Sequence, residues 1–172
     1  CDLVCDRCVD VCTNRANITL SIIPRTATVG YIKTDENGTP EIKGLEYFGF
    51  KQERQIIHVD EFCNACGNCS TFCTHTGEPY RDKPLFFIDK SNFDKSDENG
   101  WFINEFEMIR RHDGTEYHLV QSDGVYKVYI DDLVCTMPSG FSVEEVTGKS
   151  AAERQISLVP AAEMIVFMES LR

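Results

Sequence analysis

Two runs of cysteine constrain this chain more than any other feature. Cys1, Cys5, Cys8 and Cys12 open the sequence, and Cys63, Cys66, Cys69 and Cys73 repeat the density further on. A fold built only for packing has no use for four thiols in so short a stretch, twice over. The total of nine cysteines is odd, and the groups are too tight to pair neatly, which argues against a disulfide scaffold. Thiols retained for metal point to a reducing compartment, so the expected location is cytoplasmic.

The second group reads C-x2-C-x2-C-x3-C, the run that holds an iron–sulfur cluster in bacterial two-cluster ferredoxins. Closely spaced thiolates let one loop wrap three irons, and in this run the fourth cysteine belongs to the other cluster. The expected cofactors are therefore two [4Fe–4S] clusters. Cys63, Cys66 and Cys69 would hold one with Cys12, and Cys1, Cys5 and Cys8 would hold the other with Cys73. The first group carries one extra residue between Cys1 and Cys5, so Cys1 is the weaker ligand assignment. The alternative is an all-cysteine zinc site in a structural or docking module. Such sites usually come from two separated C-x2-C knuckles, and here each group packs all four cysteines together.

The residues between these cysteines suit a loop around a cluster. Gly67 follows Cys66, where the lack of a side chain lets the backbone curl. Asn64, Ala65, Asn68 and Ser70 are small or polar and could donate hydrogen bonds to sulfur. Thr13 and Thr74 stand where the bacterial run has proline after its fourth cysteine, a change in loop stiffness rather than in ligation. Cys135 lies alone on an expected strand and reads as a buried core thiol. His58, His75, His112 and His118 share no spacing that forms a metal site. Trp101, Met164 and Met168 read as core.

The predicted fold is α+β: a two-cluster ferredoxin-like unit over 1–90, then a small α+β appendage over 100–172. Residues 17–23 and 54–60 are β-branched or alternating and read as strands. Between them, about 24–53, lies an insertion with turn signals at Glu36-Asn37-Gly38 and at Gly44. It reads as an extended hairpin, either a flap over one cluster or a lengthened surface hairpin. Leu85-Phe-Phe-Ile88 is a further strand, and the polar stretch Asp89 to Gly100 is the expected boundary. Asp113-Gly114 and Asp123-Gly124 divide 107–130 into a three-stranded meander. Pro160 suits the first turn of a terminal helix reaching Leu171, with Ala161, Met164, Ile165 and Met168 on one face. The second half carries no catalytic constellation.

Formal charge is −11, from 28 acidic and 17 basic residues. That surplus argues against nonspecific nucleic-acid binding, which needs Lys and Arg against phosphate. It suits docking to basic surfaces by long-range steering. No apolar run approaches the roughly 18 residues of a membrane span. A cysteine group at the first residue, in place of Met, suggests a piece of a longer polypeptide.

Three stretches carry a more specific resemblance: Cys8-Val-Asp-Val-Cys12-Thr-Asn-Arg-Ala-Asn17, Cys63-Asn-Ala-Cys-Gly-Asn-Cys-Ser-Thr-Phe-Cys73 and Gly77-Glu-Pro-Tyr80. Together they resemble the C-terminal iron–sulfur region of selenate reductase flavoprotein subunits, which are related to the glutamate synthase small subunit. The resemblance covers residues 1 to about 88, includes the longer Cys1–Cys5 spacing, and is loose beyond. It implies a larger parent with an FAD- and NAD(P)H-binding oxidoreductase region. It also implies a flavoprotein region or subunit as partner, with a molybdenum- or flavin-enzyme as the external one. On this chain itself no substrate bond is expected to be made or broken.

Overall fold

The computed structural model describes residues 4–105, 107–138 and 141–171. Cys1 lies outside them. The architecture is mixed α+β, with a nine-stranded sheet, a three-stranded sheet and a buried C-terminal helix packed against both.

The first cysteine group contains a one-turn helix, α1 (Arg7–Asp10). Strand β1 (Asn17–Ser21) follows it directly, and β4 (Arg54–Val59) pairs antiparallel with β1. Their register sets Asn17 opposite His58 and Ser21 opposite Arg54. The start of β1 thus lies beside the end of β4, and Val59 N–H closes on Ala16 O at 2.8 Å. Since the first cysteines precede β1 and the second group follows β4, this one register brings both groups to the same end of the sheet.

A 3-10 turn (Asp60–Phe62), α2 (Asn68–Thr71) and α3 (Pro79–Asp82) form the crossover from β4 to β5 (Leu85–Phe87). β5 runs parallel to β4 and to β6 (Gly100–Ile103). The expected boundary stretch is ordered between β5 and β6. It holds α4 (Lys90–Lys95), whose N-cap Asp89 accepts from Ser91 N–H at 2.7 Å and Asn92 N–H at 3.3 Å.

The sheet continues antiparallel through β7 (Glu107–His112), β8 (Thr115–Ser122), β9 (Val125–Ile130), β10 (Leu133–Pro138) and β11 (Glu145–Gly148). The three meander strands read from the Asp-Gly turns are β7 to β9; β6, β10 and β11 extend them. Residues on both sides of 90–100 share this sheet and the larger apolar core. The expected division is a division of sequence composition, and strand pairing runs across it.

The insertion forms a long hairpin of β2 (Arg25–Thr34) and β3 (Pro40–Phe50). Asp35 Oδ1 accepts from Asn37 N–H and Thr39 N–H, both at 2.8 Å, and fixes the turn. Gly44 is not a turn. It sits inside β3 opposite the register shift between Val29 and Tyr31, so its left-handed backbone (φ 47°) serves a bulge.

Nor is the hairpin a flap over the cysteines. β12 (Gln155–Ser157) pairs with β2, and Val29, Ile32 and Phe48 are buried in the main core. α5 (Val159–Ser170) starts with Pro160 in its first turn and touches β2 and β3 as well as β7 and β8. The one-face reading of that helix captured Ala161, Met164, Ile165 and Met168. Ala162, Val166 and Phe167 are buried too, because both sheets cover it. Phe167 makes an edge-on ring contact with Phe50 and a tilted one with Trp101.

Candidate functional site

The two cysteine groups fold alike. Asp6 and Gly67 both have left-handed backbone (φ 58° and 78°) and begin four-residue helices that carry Cys8 and Cys69. Asp6 O accepts from Val9 and Asp10 N–H, and Gly67 O accepts from Ser70 and Thr71 N–H, all at 2.9–3.1 Å. Arg15 and Thr76, three residues past Cys12 and Cys73, are left-handed as well. A single constant offset along the chain relates all of these pairs. It carries Cys63 onto Asp2, so Cys1 stands one residue out of step. Cys1 and Asp2 both fall outside the described residues.

Cys12, Cys63, Cys66 and Cys69 line one cavity, together with Asn17, His58 and Tyr80. Its empty volume is about 320 Å³, counting the part open to solvent. Backbone N–H groups already reach the sulfurs: Ala16 N–H donates to Cys12 Sγ at 3.2 Å and Ala65 N–H to Cys63 Sγ at 3.3 Å. Cys8 and Cys69 are buried with Ile56 between β4 and the helices. Cys5 is exposed, with Sγ 3.8 Å from Thr74 Oγ1, so the first group meets the residue after Cys73. The Arg7 backbone N–H, and then the Thr74 hydroxyl, hold the Cys5 thiol below its ordinary range. Burial pushes the Cys8 thiol up, against the opposing pull of the Lys83 charge.

Each loop is held by a carboxylate the sequence did not single out, the first to the sheet and the second to the turn between β5 and α4. Thr19 Oγ1 donates to Asp6 Oδ1 at 2.8 Å and Arg54 Nη1 donates to Asp6 Oδ2 at 2.6 Å. The Thr19 bond first, then Arg54, holds the Asp6 carboxyl below its usual range. Glu61, two residues before Cys63, accepts from Ile88 and Asp89 N–H at 3.0–3.1 Å and from Asn92 Nδ2 at 3.3 Å. Burial opposes ionisation there, yet the Asp89 and Ile88 backbone bonds outweigh it, and the Glu61 carboxyl lies low.

In the cavity wall, Asn17 Nδ2 donates to Cys8 O at 3.0 Å, which turns Asn17 Oδ1 toward His58 Nδ1 at 2.9 Å. That oxygen accepts, so Nδ1 carries the proton and the tautomer is assigned by its partner. Burial holds His58 below its ordinary range, so it is neutral at pH 7. The sequence offered no sign of this pair, because only the β1–β4 register brings Asn17 and His58 together.

The remaining histidines lie elsewhere. His75 is exposed, and His118 bonds Glu107 through Nε2 at 2.6 Å. Cys135 is fully buried on β10 between Val128 of β9 and Val146 of β11. Burial pushes its thiol up to about 12. Trp101 is buried and stacks on Phe86 with ring centroids 5.6 Å apart. Among the described residues, no three Cys, His, Asp or Glu side chains gather closely enough to hold a single metal ion. No helix there is long and apolar enough to cross a membrane.

The chain is 31% identical over 127 residues to "Putative oxidoreductase YgfK" of Escherichia coli O157:H7, which is 73% of this chain and 10% of the relative. It is 33% identical over 105 residues to "Putative oxidoreductase YgfK" of Escherichia coli strain K12, 61% of this chain and 8% of the relative. The chain spans about a tenth of the length of the curated relatives it matches. Their names support a relation to oxidoreductases, a coarser statement than the selenate reductase resemblance of the cysteine segments. No family model matches the chain, and no solved structure does.

Proposed function

We propose that this chain is an electron-transfer module holding two [4Fe–4S] clusters. It relays single electrons between a flavin- and NAD(P)H-binding region of a larger oxidoreductase and a partner. The observation that carries this reading is the meeting of Cys12, from the first group, with Cys63, Cys66 and Cys69 around one cavity.

The donor set fits such a group in kind. Four residues with soft donors line one cavity, and backbone N–H groups already face two of the sulfurs. Ser70 Oγ, on the residue after Cys69, is buried without a hydrogen-bond partner, a cost a sulfur acceptor would relieve. When bound, each cluster supplies reversible one-electron storage.

The chain's own residues supply position and environment. Cys12, Cys63, Cys66 and Cys69 would ligate one cluster; Cys5, Cys8 and Cys73, with Cys1, would ligate the other. Asp6 clamps the first loop to the sheet, Glu61 holds the second to the segment between β5 and α4, and the Asn17–His58 pair ties the first loop to β4. Ile56, Val9, Val11 and Tyr80 form the apolar wall between them. One register brings both groups to the same end of the sheet, as exchange between two such centres would require.

The relatives' name and the tenth of their length covered here favour a module inside a larger enzyme. Purification without oxygen, followed by iron and sulfide analysis, tests the reading. It expects about eight irons per chain and visible absorption bleached by dithionite. A colourless, zinc-loaded protein overturns it in favour of a structural all-cysteine module, and four irons would restrict it to the Cys12, Cys63, Cys66 and Cys69 centre.

A further inference from the structure

Asn17 and His58 are buried at the cysteine end of the sheet, each 2% exposed. Their hydrogen bonds leave one arrangement. Cys8 O can only accept, so the Asn17 amide meets it through Nδ2 at 3.0 Å, which leaves Asn17 Oδ1 for His58 Nδ1 at 2.9 Å. That oxygen can only accept as well. The ring proton is therefore on Nδ1, and Nε2 carries a lone pair. The backbone is pinned too: His58 N–H donates to Pro84 O at 2.9 Å, and the register sets Asn17 opposite His58.

Nε2 makes no hydrogen bond with any described residue. Nor is it sealed: the fully buried side-chain nitrogens and oxygens without a partner among the described residues are Ser70 Oγ and Arg154 Nε. An unbonded atom that is not sealed meets open space, and the space His58 lines is the cavity of Cys12, Cys63, Cys66 and Cys69. Burial holds the ring neutral against the opposing pull of Asp60. A neutral ring in this tautomer is a dipole whose negative end lies at Nε2.

We propose that the lone pair of His58, locked in place by Asn17, lowers the reduction potential of the centre held by Cys12, Cys63, Cys66 and Cys69. This rests on the iron–sulfur reading above. Reduction adds one negative charge, and a fixed acceptor facing the centre in a poorly screened site opposes it. The Ala16 and Ala65 N–H groups act the other way, because donors to sulfur favour the more negative state. His58 thus makes this centre the readier donor of its electron. Asn17 is a positioning residue, acting by choosing which ring nitrogen bears the proton.

The full chain, loaded with iron and sulfide under anaerobic conditions, is titrated potentiometrically with EPR detection as wild type, H58L and N17A. C66S, which changes a ligand of this centre alone, identifies its signal. H58L removes the dipole, so the potential of that centre should rise by about 59 mV, a tenfold shift in its reduction equilibrium. N17A frees the ring to carry its proton on Nε2, and its rise should equal or exceed that of H58L. In the loaded wild type, histidine 15N shifts should read the Nδ1–H form. Potentials unmoved or lowered in the loaded fraction of both variants overturn the proposal and leave the iron–sulfur reading intact, as does an Nε2–H ring in the wild type. A wild-type potential that falls by about 59 mV per pH unit near neutrality, with no such fall in H58L, also overturns it, for the ring would then take up a proton with the electron. A wild-type chain that takes up no iron overturns both readings.

Discussion

At the scale of single residues, the chain separates two kinds of cysteine by environment. Eight occur in runs that leave no room for a packing role, and the ninth, Cys135, is sealed among Val128, Val146 and the strands that carry them. Reactivity follows the thiolate, and burial pushes the Cys135 thiol up to about 12. Iodoacetamide added to the folded, cluster-free protein should label exposed Cys5 and Cys66 and spare Cys135 until denaturant is added. Peptide mass spectrometry reads the result, and early labelling of Cys135 would contradict the packing. The sequence was sufficient for the burial of Cys135. It missed Asn17, His58 and Glu61, because each acquires its role from a partner distant along the chain.

Among the elements, the β2–β3 hairpin shows how a local signal and a tertiary one combine. The Glu36-Asn37-Gly38 turn was legible from composition, and Gly38 has the left-handed φ of 77° that such a turn needs. What sequence could not give is the approach of Ser150: its N–H donates to Gly38 O at 2.9 Å, and a Cβ on Gly38 would lie 2.0 Å from Ser150 O. Gly38→Ala should therefore cost about 1–3 kcal/mol from backbone strain alone, and more where the Ser150 segment must also move. Urea unfolding measures the loss. Faster hydrogen exchange confined to β2, β3 and β12 would locate it; an unchanged midpoint would mean that the turn tolerates a side chain. Gly44 was misread as a turn for the complementary reason. A glycine marks permissive backbone, and only strand pairing distinguishes a bulge from a reversal.

For the molecule as a whole, stability at high pH should report the shared core. Burial raises the Tyr117 phenol and the Cys135 thiol to about 12, from ordinary values of 10.0 and 9.0. Both are neutral when protonated, so above those ordinary values the folded state retains protons that the unfolded chain releases. Their contribution is intact below pH 9 and is lost as pH rises from 9 toward 12. The slope is about 1 kcal/mol per pH unit for each group. Tyr117→Phe should flatten the fall above pH 10 in urea-unfolding titrations, at the expense of the bond from Tyr117 Oη to Ser157 O at 2.9 Å. An equal slope in that variant would remove Tyr117 from the account. Both groups sit in the core that spans residues on either side of 90–100, so the loss should be one cooperative transition.

The sequence by itself determined the two cysteine groups and their spacing, the strands β1, β4, β5 and β7 to β9, the hairpin and the terminal helix. These are recorded in spacing, alternation and turn residues, which are local. The tertiary structure alone decided that β6, β10 and β11 extend one sheet across the composition boundary. It likewise decided that the hairpin covers α5 rather than the cysteines. Pairing and burial are long-range and leave little trace in any short window. The same holds at the site. The thiols were readable, but that Asn17 meets His58 follows from the register of β1 on β4.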